Sequence, residues 1–306
     1  MHVIGIDIGG TTVKGVLLDE QMELVHKSTS PTDAKAGRDA ILSSLSGVIG
    51  TLTEASETPI RGIGIGSAGR INVGTGVVEY ATENLPGWHG FALKSWVEEK
   101  YNLPVIVDND ANTALIGELY FNHLLIETQH TIMLTLGTGV GGANYFSGQV
   151  VRGAHHQGGE WGHMVLYPGG RPCNCGKSGC LEQYISGSAL RKEAEKETGR
   201  TFLQGRDVFK AAQQDARVNK VVTQFISDLA LVIENISISL DPDRIILGGG
   251  VTESRDYWWE DMQDLLNQKG VETEVTPSLY RNRSGMYGAA LLASQMRKEV
   301  KSHEST

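Results

Sequence analysis

Apolar residues along this chain come in short blocks of two spacings, and the change from one to the other marks the elements. Val3-Ile4-Gly5-Ile6-Asp7-Ile8 is a β-rich run that breaks at Gly9-Gly10-Thr11-Thr12 and resumes as Val13-Lys14-Gly15-Val16-Leu17-Leu18. This reads as a strand, a glycine turn and an antiparallel strand. Between residues 38 and 54, Ile41, Leu42, Leu45, Val48, Ile49 and Leu52 recur at the spacing of one helix face. Strands are predicted again at 62–65, ending in Gly66-Ser67-Ala68-Gly69, and at 105–107, running into Asp108-Asn109-Asp110. The second half repeats the opening theme, with 131–136 leading into Gly137-Thr138-Gly139-Val140-Gly141-Gly142. A long, largely buried helix follows on Val218, Val221, Val222, Phe225, Ile226, Leu229, Val232, Ile233, Ile236 and Leu240, and stops at Asp241-Pro242 because proline cannot continue it. The strand at 244–247 then ends in Gly248-Gly249-Gly250.

Strands that alternate with helices and deliver glycines or carboxylates at their carboxyl ends describe an open α/β sheet with ligands bound there. The repeated strand–turn–strand theme predicts an internal duplication, with two sheets flanking an active-site cleft.

Composition sharpens this picture at a few points. At 306 residues the chain has room for two domains. Its 38 glycines, about one residue in eight, exceed the typical ~7%, and many directly follow apolar runs. With 27 basic and 36 acidic residues the net charge is -9, so no attraction to nucleic acid or an anionic membrane is expected. The amino terminus enters a strand pattern without a signal peptide's basic region and apolar core. No apolar run approaches the ~20 residues that span a bilayer. All three cysteines lie between 173 and 180, which suits a reduced, cytoplasmic compartment and a metal site better than a disulfide framework. The polar tail after Lys298 is expected to fray.

Asp7, Gly9, Gly10, Thr11, Thr12 and Lys14 combine a carboxylate, unobstructed backbone, two hydroxyls and an amine, a set suited to magnesium-bound polyphosphate. A plain structural hairpin has the same look. The second cluster, with Gly137, Thr138, Gly139 and Gly141, and the third, with Gly248, Gly249 and Gly250, favour phosphate binding. The chain has no GxxxxGK[ST], HRD or DFG sequence, which disfavours Walker-type NTPases and protein kinases. The first turn opens into a strand and lacks GxGxxG spacing, against a dinucleotide fold.

Phosphoryl transfer to an alcohol needs a base for the hydroxyl proton, and Asp110 at a strand end is the best one, although Asp there also caps helices. Glu160 and Glu182 flank the cysteine cluster and could accept paired hydrogen bonds from vicinal sugar hydroxyls. Cys173, Cys175 and Cys180, with His163 ten residues upstream of the first, satisfy a tetrahedral structural zinc site with no open position. His155 and His156 read as polar loop residues, and Trp258 and Trp259 as packing residues of an amphipathic helix.

These motifs together resemble the ROK family (repressor, open reading frame, kinase) over nearly the whole chain. The resemblance is carried by Asp7-Ile8-Gly9-Gly10-Thr11, Asp108-Asn109-Asp110-Ala111-Asn112, Leu136 through Gly142, Glu160-Trp161-Gly162-His163, and Cys173-Asn174-Cys175-Gly176 through Gly179-Cys180-Leu181-Glu182. It implies an actin-like (ribonuclease H-like) ATPase fold. The smaller domain would cover 1–115 plus a returning helix in 286–306, and the larger one 116–285 with the zinc loop. It further implies Asp110 as general base; sugar contacts from Gly69, Asn84, Asn109, Asp110, Glu160, His163 and Glu182; Asp7 orienting magnesium; and three glycine turns around ATP. Gly66-Ser67-Ala68-Gly69 departs from the family's glucokinases, many of which carry a proline there. The expected function is ATP-dependent phosphorylation of a hexose 6-hydroxyl by a homodimer, with glucose the first substrate. N-acetylmannosamine and other hexoses (fructose, allose, mannose) are the alternatives. The family's sugar-responsive repressors carry a DNA-binding domain ahead of this region, for which a first strand already at Asp7 leaves no room.

Overall fold

The computed structural model describes residues 1–82, 85–124, 128–280 and 283–296. The chain divides into two compact units, one comprising Met1–Thr113 and the chain from Gly285 onward, the other Ala114–Ser284. Among the described residues each unit is built on one five-stranded sheet.

In the first unit, β1 (His2–Ile8), β2 (Thr12–Leu18) and β3 (Leu24–Pro31) form an antiparallel ribbon, and β4 (Ile60–Ser67) and β7 (Val105–Asn109) add parallel strands in the order β3-β2-β1-β4-β7. β5 (Arg70–Asn72) and β6 (Val77–Tyr80) pair separately. Helix α1 (Arg38–Glu54) makes the crossover to β4 and buries the six apolar positions expected of it. Each such side chain contributes about 1.5–3 kcal/mol of apolar burial, so Leu45→Ala would cost roughly 2–5 kcal/mol. α2 (Leu93–Tyr101) leads to β7, and α3 (Asp110–Phe121) follows β7 directly. α9 (Ser284–Gln295) packs from Gly285 onward so close to β1 and β4 that a Cβ on Gly5 or Gly64 would meet its backbone.

The second unit repeats the scheme. β8 (His130–Leu136) and β9 (Val140–Phe146) are antiparallel, and β10 (Gln149–Val150) extends the ribbon. β11 (Arg244–Gly248) and β12 (Glu274–Pro277) run parallel to β8, in the order β10-β9-β8-β11-β12. Between β10 and β11 come the cysteine loop, α4 (Glu182–Ile185), α5 (Gly187–Thr198), α6 (Gly205–Ala212) and α7 (Ala216–Leu240), and α8 (Trp259–Gln268) precedes β12.

α7 starts where the Asp215 side chain accepts the Arg217 N–H, and ends at Asp241 in a left-handed conformation before Pro242. Among the described residues it is the one helix long and apolar enough to cross a membrane, and 56% of that window is buried. It is the core helix of this unit, and polar residues such as Asp228 and Glu234 interrupt its apolar positions. Of its predicted core positions only Leu240 is exposed, and Asp228 is buried instead. Trp258 packs against both Phe209 and Phe225. The tail beyond 296 lies outside the described residues.

Candidate active site

The first unit brings its carboxylates to the ends of β1 and β7. The turn after β1 is closed by the Gly9 N–H donating to the Thr12 carbonyl at 3.0 Å, and the Thr32 hydroxyl donates to the Gly9 carbonyl at 2.7 Å. Gly10 and Thr11 are left exposed at the tip. Lys14 sits opposite Asp7 across the ribbon. Burial and the nearby Asp110 push the Asp7 carboxyl up to about 7, with Lys14 acting in the other direction. Burial also pushes Asp110 up, against the hydrogen bonds that its carboxylate receives. Two carboxylates held up by burial, with Asp110 also raising Asp7, form a site in which a cation would restore both as anions. Gly285, at the start of α9, approaches so near that a Cβ there would lie 3.2 Å from Asp7 Cγ.

Capping of α3 falls to Asn109, whose Oδ1 accepts the N–H groups of Ala111 at 2.9 Å and Asn112 at 3.2 Å. Asp110 Oδ1 shares the Ala111 N–H at 2.9 Å. Asn109 Nδ2 donates to the Gly69 carbonyl at 2.9 Å, and the Asn109 side chain also hydrogen-bonds the Asp110 carboxylate, opposing the upward push of burial. Asp108 supports the arrangement by accepting from Asn109 N and Asn112 Nδ2. Ser67, in the segment where many family glucokinases carry proline, is fully buried and accepts the Trp88 indole N–H at 3.0 Å. Asn84 lies outside the described residues.

In the second unit the turn after β8 closes by the Gly137 N–H donating to the Gly139 carbonyl at 2.9 Å, with Thr138 exposed at its tip and Gly141 already inside β9. Gly248 ends β11, Gly249 takes a left-handed φ of 86°, and the Thr252 hydroxyl holds the Gly249 carbonyl at 2.7 Å. The cysteine loop is a narrow ribbon in which Val165 pairs with Cys180 and Pro172 with Ser178. The Leu181 N–H donates to the Met164 carbonyl at 2.9 Å, which sets His163 and Glu182 beside one another. Glu160 is exposed, and its Oε2 lies 3.9 Å from His163 Nε2.

The ligand atoms of His163, Cys173, Cys175 and Cys180 all lie within 4.8 Å of one another. Cys175 and Cys180 sulfurs are 3.6 Å apart, and Cys173 Sγ is 3.8 Å from His163 Nδ1. A tetrahedron with Zn–S near 2.3 Å has edges of about 3.8 Å, whereas a disulfide needs its sulfurs about 2 Å apart. The donor set therefore fits zinc. Burial and the adjoining Cys175 and Cys173 thiols push Cys180 up to about 12, and a divalent cation would offset that crowding of thiolates. His155 and His156 lie outside the cluster.

Three features escaped the sequence reading. Thr32 latches the first turn from 23 residues away. Glu118 is buried in α3 and accepts from Ser278 Oγ, Leu279 N, Tyr280 N and Ser284 Oγ. Tyr167 donates to the buried Asp228 at 2.6 Å, which straps the cysteine loop to α7. A charged residue among apolar helix positions is the signal available for Glu118 and Asp228, and Thr32 has none. A cavity of about 740 Å³ beside His130 and Asp243 opens at the ends of β8 and β11 opposite the glycine turns, away from every candidate residue.

The ROK family pattern matches residues 3–296. The chain belongs to the ROK family. A glucokinase of Halalkalibacterium halodurans is 32% identical over 99% of this chain and 98% of its own. An N-acetylmannosamine kinase of Citrobacter koseri is 28% identical over 96% and 99%. Among solved structures, a ROK family glucokinase from Streptomyces griseus in complex with glucose and AMPPNP is 28% identical, covers 97% of this chain and 100% of its own, and superposes with a TM-score of 0.83. The α/β architecture of this ROK chain is the actin-like ATPase fold of its structural neighbours.

Proposed function

We propose that this ROK protein is an ATP-dependent hexose kinase that transfers the γ-phosphoryl group to the sugar 6-hydroxyl, with glucose as first substrate and N-acetylmannosamine as the alternative. The observation that carries the reading is the desolvated pair of Asp7, near the end of β1, and Asp110, just after β7, in a chain that matches the ROK family over nearly its whole length. In this reading Asp110 accepts the 6-hydroxyl proton as that oxygen attacks the γ-phosphorus, and its raised affinity for protons makes it a stronger base than an exposed carboxylate. Asp7 would hold magnesium, which when bound neutralises charge on the phosphates. The turns at Gly9–Thr12, Gly137–Gly141 and Gly248–Gly250 present backbone to the nucleotide, with Lys14 as a cation.

Asn109, Gly69, Asn84, Glu160, His163 and Glu182 hold the sugar hydroxyls, while Cys173, Cys175, Cys180 and His163 Nδ1 hold a structural zinc. His163 Nε2, turned toward Glu160, is the nitrogen left for the substrate. The test is ADP release measured over glucose, mannose, fructose, allose and N-acetylhexosamines. Turnover with one of them at much higher kcat/KM supports the reading and names the substrate; no turnover with any would sink it.

A further inference from the structure

The segment from Cys180 to Gly187 joins the thiol cluster to the second glycine turn. Cys180 supplies one sulfur of the cluster. Two residues on, Glu182 Oε2 accepts the Val140 N–H at 3.2 Å, just past the turn. Gly187 N–H then donates to the Gly137 carbonyl at 2.8 Å, at its start. The other arm of the cluster reaches the same strand. Before His163, a Cβ on Gly162 would collide with the Val140 carbonyl, and Trp161 Nε1 donates to Asn144 Oδ1 at 2.9 Å. Elements that carry cluster ligands therefore hold the turn on both sides.

Gly139 shows how tight that hold is. A Cβ built on it would collide with Glu182 Oε2, and its three nearest atoms all belong to Glu182. Gly139 is not among the glycines with left-handed φ, so its backbone would accept alanine. The Glu182 carboxylate fills the space that a side chain would need.

We propose that Glu182 is a positioning residue for the nucleotide turn, and that zinc in the His163–Cys173–Cys175–Cys180 cluster strengthens nucleotide binding through it before any sugar binds. The inference rests on the reading that this turn takes nucleotide phosphates. A bound metal fixes Cys180 and hence the Glu182 backbone two residues away; the carboxylate then fixes the turn in the shape that phosphate needs. Ordering the turn in advance lowers the entropy that binding must otherwise lose. By linkage the coupling is reciprocal, so nucleotide also tightens the hold on zinc.

The test is calorimetric binding of AMPPNP with magnesium and without sugar. It uses zinc-loaded and zinc-stripped protein, and zinc-loaded Glu182→Ala, Gly139→Ala and the double variant, with zinc content and thermal midpoint recorded for each. Stripping zinc, Glu182→Ala and Gly139→Ala should each weaken binding by about tenfold, within the usual range of coupling between sites. The double variant should bind as well as Glu182→Ala alone, because the added methyl no longer meets a carboxylate. Equal affinity in zinc-loaded wild type and Glu182→Ala, or a double variant in which the two losses add to about a hundredfold, overturns the proposal. Should the stripped protein unfold, the cycle on zinc-loaded protein decides by itself. Failure of the zinc-loaded wild type to bind AMPPNP at all would instead strike the kinase reading, a separate outcome.

Discussion

β1 with its turn and β8 with its turn are two solutions to one problem. Both strands are seven residues long with the same pattern of burial, both break into three-residue turns, and both return as antiparallel strands. The half-buried position before the last strand residue is Asp7 in one and Thr135 in the other. That single difference separates a corner where burial and the neighbouring Asp110 push Asp7 up from a neutral corner. Phosphate oxygens tolerate a carboxylate only with a cation between them, so a duplicated scaffold needs the acid in one copy only. The supports differ as well. A threonine hydroxyl latches the first turn, whereas the second is held by the segment that carries the thiol cluster.

The comparison can be broken first at the acidic corner. Asp110→Asn should lower kcat by about 10²–10⁴-fold while sugar binding is largely kept, as single-turnover kinetics and calorimetry would reveal. In the unaltered enzyme, burial raises Asp110, so kcat should fall on acidification at a pH above the ordinary carboxylate range. At the thiol corner, Cys180→Ser should release zinc, measured by a chromophoric chelator, and reduce sugar kcat/KM by about 10–100-fold.

Asp7→Asn tests the cost of the acidic corner itself. With a folded value of about 7 against 3.8 for the free group, the folded state holds the proton more tightly. Stability is thus greatest below about pH 4, declines as pH rises, and has lost this contribution above about pH 7. Without magnesium, the asparagine variant should be more stable than wild type at pH 8 by about 2 kcal/mol, discounted for partial exposure, and equal to it near pH 3, by urea denaturation. Thr135→Asp puts the acid into the neutral corner and should weaken AMPPNP binding by roughly tenfold, about 1.4 kcal/mol; unchanged affinity would end the charge argument. The smallest effect is expected from Thr32→Ala, which removes one latch and should cost about 1 kcal/mol of stability.

Elements whose information is local were readable residue by residue. Ile41 through Leu52 specify α1 by spacing alone, the glycines after β1, β8 and β11 mark the turns, and Pro242 dictates where α7 stops. Family membership was readable for the same reason, because its motifs are short and contiguous. The thiol cluster was readable as a ligand set, since its three cysteines are the only ones in the chain. Asp110 was visible at a strand end, but its neighbour Asn109 as the cap was not, because which of two adjacent residues turns its side chain back onto the helix depends on the path of the backbone.

Spacing along the chain told nothing of contacts between distant segments. Glu118 meets Ser278 across 160 residues, Tyr167 meets Asp228 across 61, and Glu182 meets Val140 across 42. A carboxylate looks the same in sequence whether water or a backbone N–H will satisfy it. The partner is chosen when burial removes the water, and that happens only once sheets and helices have packed. Spacing and motif thus determined the elements, the family and the ligand sets, while packing determined which carboxylates became strained acids and which became struts.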